Sequence, residues 1–218
     1  MKIEILNKGF VEYVDHMGSD LTIVNSARVS FGKHTNELRE RDQKLINYLW
    51  EHKHTSTFRH CYITFRIKAP IFVLRQWFKH RIGSEFNEQS LRYVEFDGDY
   101  YKPNIYRKQS RSNKQGSFGE IKQQTKADQL YKLSCDYAIR DYYRLIEMGV
   151  CREQARGILP MSMYTSVYWT ASLQAILHFL KLREDSHAQV EIQEYAKGIR
   201  KITEQYFPIA LGLGEKHD

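Results

Sequence analysis

Residues 61–68 read Cys-Tyr-Ile-Thr-Phe-Arg-Ile-Lys, and the alternation does not slip once. Cys61, Ile63, Phe65 and Ile67 share one side, while Tyr62, Thr64, Arg66 and Lys68 share the other. A period of two with one apolar side is a half-buried strand. A chain with such a strand needs a sheet and something apolar to cover one of its faces. Pro70 follows, at a position where a helix can begin without losing a hydrogen bond. Ile71, Leu74 and Phe78 then recur at helical spacing, and Gln76, Lys79 and His80 fall on a different, polar face.

The remaining elements follow from the same two periods. Lys2–Leu6 reads as a strand, and Ser19 or Asp20 caps a short helix running to about Ser30. Leu45, Ile46, Leu49 and Trp50 form the stripe of an amphipathic helix within residues 39–53. Residues 102–119 are polar and basic and read as a flexible loop, a lid or a plain linker. A long helix is expected from about Glu120 to Met148, stopped by Gly149, then a short one over Arg152–Ile158. Tyr164–Thr170 alternates as a strand, and Leu173, Ile176, Leu177 and Leu180 stripe a helix over Ala171–Arg183. Asp185 or Ser186 is the expected cap of a last helix carrying Ile192, Tyr195, Ile199 and Ile202. Strands mixed with longer helices, without an internal repeat, give the α/β class of the α+β kind. The expectation is a single domain over residues 1–218, a mostly antiparallel sheet flanked by long helices.

Composition narrows the function classes. The chain has 218 residues, 42% of them hydrophobic and 27% charged, which suits a packed core. No apolar run approaches the ~18 residues of a membrane span, and the N-terminal apolar stretch is too short for a signal peptide, so a cytoplasmic protein is expected. Three cysteines without a C-x-x-C pair argue against a disulfide framework; Cys61, Cys135 and Cys151 read as free thiols in core or boundary positions. A net charge of +7 suits an anionic partner, either nucleic acid or a phosphorylated small molecule. No G-x-G-x-x-G, P-loop, H-E-x-x-H or G-x-S-x-G motif is present. His52, His54 and His60 cluster, but at no familiar zinc spacing, so no metal is expected and a satisfied structural role or a polar pocket wall is the better assignment.

The densest chemistry lies in FKHRIGSEFNEQSLRY, residues 78–93. A solvated face would explain its charge, but not Asn87, Glu88, Ser90 and Arg92 within six residues. Ser90 lacks a visible activating base, so it reads as a hydrogen-bond donor to a ligand oxygen rather than a nucleophile. The segment resembles the RHRxxSxNExSxRY signature of the flavin-dependent thymidylate synthases. MKIEILNKGFVE, SARVSF, RDQKLINYLWEHKHTSTFRH, FRIKAPIFVLRQWF and FLKLREDSHAQVEIQ resemble that family's segments in its order, so the likeness spans most of the chain. There are departures. Lys79 replaces the first Arg of the signature, keeping the charge and losing the planar fork. Eight residues rather than seven separate Arg81 from Ser90, because GSEF replaces a three-residue piece and adds a residue near Glu85. Leu91 stands at a frequent Gly, Arg59 at a frequent acidic residue, and Ser172 and Gln174 at an Asn and an Arg that commonly touch the flavin.

The resemblance implies methylation of dUMP to dTMP, with methylenetetrahydrofolate as carbon donor, FAD as cofactor and NADPH as reductant. It also implies a homotetramer with active sites between subunits. By the matched positions, Arg183 and His54 carry catalysis, Arg183 by stabilising charge on the pyrimidine and His54 from beside the flavin ring. Gln76, Lys79, Glu88, Ser90, Leu91, Arg92, Arg156 and Arg183 take the nucleotide; Ser56, His80, Arg81, Ile82, Glu88, His178, Leu182 and His187 take the flavin. No cysteine lies in a matched motif, which agrees with a flavin performing the hard step. Two alternatives stand beside this. One is a C5-modifying enzyme of the same scaffold acting on UMP or dCMP, by methylation or hydroxymethylation, motivated by Lys79, Leu91, Ser172 and Gln174. The other is a basic nucleic-acid-binding protein, disfavoured because its cations are dispersed outside residues 102–119.

Overall fold

The computed structural model describes residues 1–112 and 114–212. Five antiparallel strands form the central sheet: β1 (Lys2–Ile5), β2 (Gly9–Met17), β3 (Tyr62–Pro70), β7 (Tyr164–Ser172) and β4 (Ser84–Glu88), in that spatial order. β3 is central and its alternation decides the faces. Ile63, Phe65 and Ile67 are buried and pair with Ala171, Trp169 and Val167 of β7, also buried. Each of the Ile, Phe and Val side chains among them contributes about 1.5–3 kcal/mol of burial. The opposite face is polar and partly open, with the Thr64 and Thr170 hydroxyls 3.0 Å apart across the two strands.

Helices cover the apolar face. α3 (Ile71–Trp77) leaves directly from the end of β3, and α6 (Leu173–Arg183) leaves from the end of β7. Trp77 packs edge-on to Trp169 at 5.2 Å and stacks on Phe179 of α6 at 4.7 Å. α7 (Val190–Thr203) adds the buried stripe Ile192, Tyr195, Ile199 and Ile202, as its spacing requires. A second, smaller cluster of Phe96, Tyr142, Ala155 and Met163 joins α4 (Gln124–Glu147) and α5 (Arg152–Ala155) to the sheet end. α1 (Asp20–Arg28) is closed by Ser19, whose amide donates to the Thr22 hydroxyl at 3.1 Å. α2 (Glu40–Glu51) is tied to α1 by an ion pair between Arg28 and the fully buried Asp42. The last helix, α8 (Pro208–Leu211), is anchored by Ile209 and Ala210 amides donating to the Asp20 carboxylate.

Neither β2 nor β4 is among the elements expected from sequence, and several of those expectations need correction. β2 carries no clean alternation because a bulge between Tyr13 and Asp15 turns Val14 outward and its second half is exposed. β4 is an edge strand with one apolar residue, Phe86, so no period was readable. Residues 102–119 are not a featureless loop: β5 (Arg107–Gln109) and β6 (Ser117–Glu120) form a hairpin. Glu120 therefore ends a strand, and α4 starts later, where Gln124 exchanges hydrogen bonds with the Tyr106 backbone at 2.9 and 2.8 Å. α3 buries Val73, Leu74 and Trp77 rather than Ile71, Leu74 and Phe78, because the heavier Trp side takes the sheet. The cap of α7 is Gln189, not Asp185 or Ser186, which belong to the preceding turn.

Asp42→Ala leaves Arg28 half-buried and unpaired and removes the acceptor of the Arg39 amide. A loss of about 3 kcal/mol in urea unfolding is expected; a change below ~0.5 kcal/mol would show that the pair does not hold α2.

Candidate active site

The motif residues are placed by two helix ends and one edge strand. α3 stops at Phe78, and the chain turns at once, the His80 amide donating to the Trp77 carbonyl at 2.9 Å. Gln76, Lys79 and His80 therefore do not share a helical face. Gln76 turns toward α7 and donates its side-chain amide to the Gln189 carbonyl oxygen. Lys79 is exposed, and His80 turns inward toward α6. Gly83 then adopts φ +69°, and a Cβ there would lie 2.6 Å from the Ser172 hydroxyl oxygen, so this turn demands glycine. Ser172 itself is buried and caps α6, accepting from the Ala175 amide at 3.3 Å.

Arg183 and His80 form the best-defined pair. Arg183 Nε donates to His80 Nε2 at 2.9 Å, so the histidine proton lies on Nδ1. Burial lowers the His80 pKa to about 4, helped by the Arg183 charge and by His178. The edge of His80 meets the Phe179 ring at 5.1 Å. A neutral imidazole is thus a fixed acceptor, and holding Arg183 by Nε leaves both terminal amino groups of the guanidinium unengaged by this bond. Burial also lowers the Arg183 pKa, without bringing a guanidinium near neutrality at ordinary pH.

On β4, the residue opposite Val167 is Glu88. Its carboxyl pKa is raised by burial, against the opposing influence of the Thr165 hydroxyl and the Arg156 charge, although part of the residue meets solvent. The added residue of GSEF is absorbed by the strand without a bulge: Glu85 pairs with Thr170 on the exposed face, and Ser84 points into the core. Past the strand, the Ser90 hydroxyl accepts the Arg92 amide at 3.3 Å, and Arg92 pairs with Glu153 at 3.0 Å. Leu91 is half-buried against the second cluster. His54 and Ser56 are exposed on the helical turn Thr55–His60, with His54 edge-on to Tyr48 at 6.1 Å. Arg81 and Ile82 are exposed, Ile82 at 93%. On α6, His178 and Leu182 face solvent one turn apart, and His187 meets Asp185 at 2.9 Å in the turn that follows.

The chain thus joins His80 to Arg183 and Gln76 to Gln189, and sets Glu88 near Thr165 and Arg156. It leaves His54, Ser56, Lys79, Arg81, Ile82, His178, Leu182 and His187 toward solvent. Gln189, Thr165 and Glu153 were not singled out from sequence. Thr165 did carry a signal, as a hydroxyl at a core-facing strand position. A cavity of about 450 Å³ beside α1, lined by Asn25, His34 and His60 among others, and one of about 220 Å³ between β1 and α7 include none of the motif residues. Among the described residues, no cluster of three His, Cys, Asp or Glu could hold a metal, and no helix is long and apolar enough to cross a membrane.

A family model described as "Thymidylate synthase complementing protein" matches residues 12–209. The flavin-dependent thymidylate synthase of Thermosipho melanesiensis is 47% identical over 210 residues, covering 95% of this chain and 91% of its own. That of Thermus thermophilus is 45% identical over 217 residues, covering 100% and 79%. The chain belongs to the flavin-dependent thymidylate synthases. Among solved structures, a UMP/dUMP methylase from Streptomyces cacaoi bound with 5-Br dUMP matches with TM-score 0.86 and 31% identity over 97% of this chain and 96% of that one. Its complex with 5-Br UMP matches with TM-score 0.84. The chain is therefore an enzyme of this flavin-dependent family, and the mixed fold of helices and antiparallel sheet is the one those structures share.

A histidine with a depressed native pKa supports stability fully above its unfolded value of ~6.5, and that support is lost as pH falls through about 4. Unfolding free energy should therefore drop between pH 6.5 and 4 more steeply in the native sequence than in His80→Gln, which keeps an acceptor that does not titrate. The difference expected is ~1–2 kcal/mol after solvent screening. Parallel pH profiles in urea titrations would contradict it.

Proposed function

We propose that the enzyme methylates C5 of dUMP, taking the carbon from methylenetetrahydrofolate, with FAD as cofactor and NADPH as the reductant that reloads it. The observation that carries this reading is the Arg183–His80 bond. Uracil C5 is a weak nucleophile until negative charge on the ring oxygens is stabilised. A guanidinium held by Nε, with its fork open, is preorganised for that task. His80 keeps it oriented without adding a competing charge, because burial holds the imidazole neutral above about pH 4.

The thiols support a route without a cysteine nucleophile. Cys61 is buried and its pKa is pushed up to about 12; Cys135 is buried and raised as well; Cys151 lies outside the matched motifs. Three free thiols also suit a cytoplasmic setting. For the nucleotide, Arg92 and Arg156 supply charge to the phosphate with the Ser90 hydroxyl beside Arg92, Lys79 adds a weaker cation, Gln76 adds amide hydrogen bonds, and Leu91 contacts the nucleotide from among them. Glu88 lies between nucleotide and flavin, able to share a proton with a ligand because its pKa is raised.

The exposed residues around α6 fit a flavin chemically. Ile82 and Leu182 offer bare apolar surface to a planar ring system, while Arg81, Ser56, His54, His178 and His187 offer cationic and hydrogen-bonding groups for its diphosphate and ring edge. When bound, FAD supplies the reducing electrons for the methyl group. Ser172 is the exception: its hydroxyl is committed to capping α6, so the flavin contact an Asn makes at this position is absent.

A multichain site supports itself on exposure. Ile82, Tyr93, Leu130, Leu133 and Tyr137 present apolar surface far larger than a lone helix or turn needs, which suits a homotetramer with sites built between chains. A second reading has one observation in its favour: the S. cacaoi neighbour is named for UMP as well as dUMP and was solved with analogues of both. This chain could act on UMP by the same chemistry.

Turnover of dUMP, UMP and dCMP with FAD, methylenetetrahydrofolate and NADPH decides between them. The expectation is dTMP formation at least about tenfold faster than any other product, and a loss of ~10²–10³ in kcat/KM for Arg183→Gln. Faster methylation of UMP would install the second reading. No methylated nucleotide, or an unaffected Arg183→Gln, would remove the first.

A further inference from the structure

The hairpin β5–β6 has no part in the site described above, yet one of its residues reaches the same helix end as Gln76. Arg107 Nη2 donates to Glu191 Oε1 at 2.8 Å, and Arg107 Nε donates to the Ser117 hydroxyl across the hairpin at 2.8 Å. Glu191 is 3% exposed and sits in the first turn of α7, where a carboxylate is favoured by the helix dipole. The Tyr101 hydroxyl donates to the same Oε1 at 3.1 Å, and Tyr131 in turn holds the Tyr101 carbonyl at 3.1 Å. Two residues earlier, Gln189 caps α7 and accepts the Gln76 side-chain amide. Burial works to raise the Glu191 pKa, but hydrogen bonds from Arg107 and the Gln189 side chain outweigh it, and the net shift is downward.

We propose that Arg107 is a positioning residue for nucleotide binding: through Glu191 and Gln189 it fixes the orientation of Gln76, so that the hairpin is a clamp on the site and not a passive surface excursion. Hydrogen bonds run from Ser117 through Arg107 to Glu191 and from Gln189 to Gln76, and Gln189 and Glu191 stand two residues apart at the start of α7. A buried carboxylate that loses its arginine must either protonate or draw a new partner. The Gln189 side chain acts on Glu191 while its oxygen accepts from Gln76, so a Glu191 that protonates or shifts turns Gln189 and no longer fixes it toward Gln76. The clamp therefore acts on binding and not on the reacting atoms. This inference rests on the nucleotide role proposed for Gln76.

The test is a double-mutant cycle on dUMP affinity, read by calorimetry on the FAD-loaded enzyme, with Arg107→Gln, Gln189→Ala and the double variant. Arg107→Gln should weaken dUMP by about tenfold, the size of one lost hydrogen bond, and by less than about twofold when Gln189 is already Ala. KM for dUMP should rise while kcat stays within about twofold. Ser117→Ala, which frees Arg107 Nε but leaves the ion pair, should give a smaller shift in the same direction and guards against a folding defect. Equal weakening in both backgrounds, or none in Arg107→Gln, overturns the proposal. Amide hydrogen exchange without nucleotide gives an independent arm. Arg107→Gln should speed exchange at Ile192 and Gln193 and also at residues 78–80, after Gln76. Faster exchange confined to the hairpin overturns the clamp. If the unaltered enzyme binds no nucleotide, the proposed substrate is wrong, while the exchange arm still decides the coupling.

Discussion

The apolar face around Trp169 is the constraint on which the rest depends. β3 and β7 must bury Phe65, Ile67, Val167 and Trp169, and each strand supplies its own cover by running straight into a helix. Because the strands are antiparallel, α3 and α6 start from opposite ends of the sheet and run back toward each other. α3 reaches about 10 Å and α6 about 16 Å along strands about 30 Å long. Their C-terminal ends therefore meet, and Trp77 stacked on Phe179 fixes the distance of approach. His80 and Arg183 sit just at that meeting place. The pairing of Arg183 with a neutral acceptor is a by-product of how the core is closed.

The same geometry explains the tightness of the turn after α3. The chain must leave His80, pass over the start of α6 and return as the edge strand β4. Gly83 and Ser172 share that crossing, and a Cβ at 83 has no room beside the Ser172 hydroxyl without movement. The residue added to the signature falls after this turn. Within β4, Ser84 faces the core, Phe86 is half-buried, and Glu85 and Asn87 are exposed. Glu88, at the far end of the same strand, lies near Thr165 and Arg156.

Much of this was legible in sequence where one period dominates. The β3 alternation, the α7 stripe and the β7 strand are written in side-chain polarity, and the motif order identified the family before any geometry. What was not legible has physical reasons. A bulge at Tyr13–Asp15 breaks the period of β2, and an edge strand such as β4 buries too little to need one. The hairpin at 107–120 is held by Arg107, Gln124 and Ser117, polar contacts that leave no hydrophobic trace. Spacing placed Gln76 and His80 on one helical face; the helix ends between them, and they serve different partners. Sequence also gave no sign that Gln189 and Glu191 belong to one contact chain.

The most direct test is a crystal structure of the enzyme with FAD and 5-bromo-dUMP. Arg183 should keep Nε within hydrogen-bond distance of His80 and place a terminal amino group within ~3 Å of a pyrimidine oxygen. An Arg183 released from His80, or a guanidinium more than ~5 Å from the ring, would contradict the claim that core closure presents this arginine to the base.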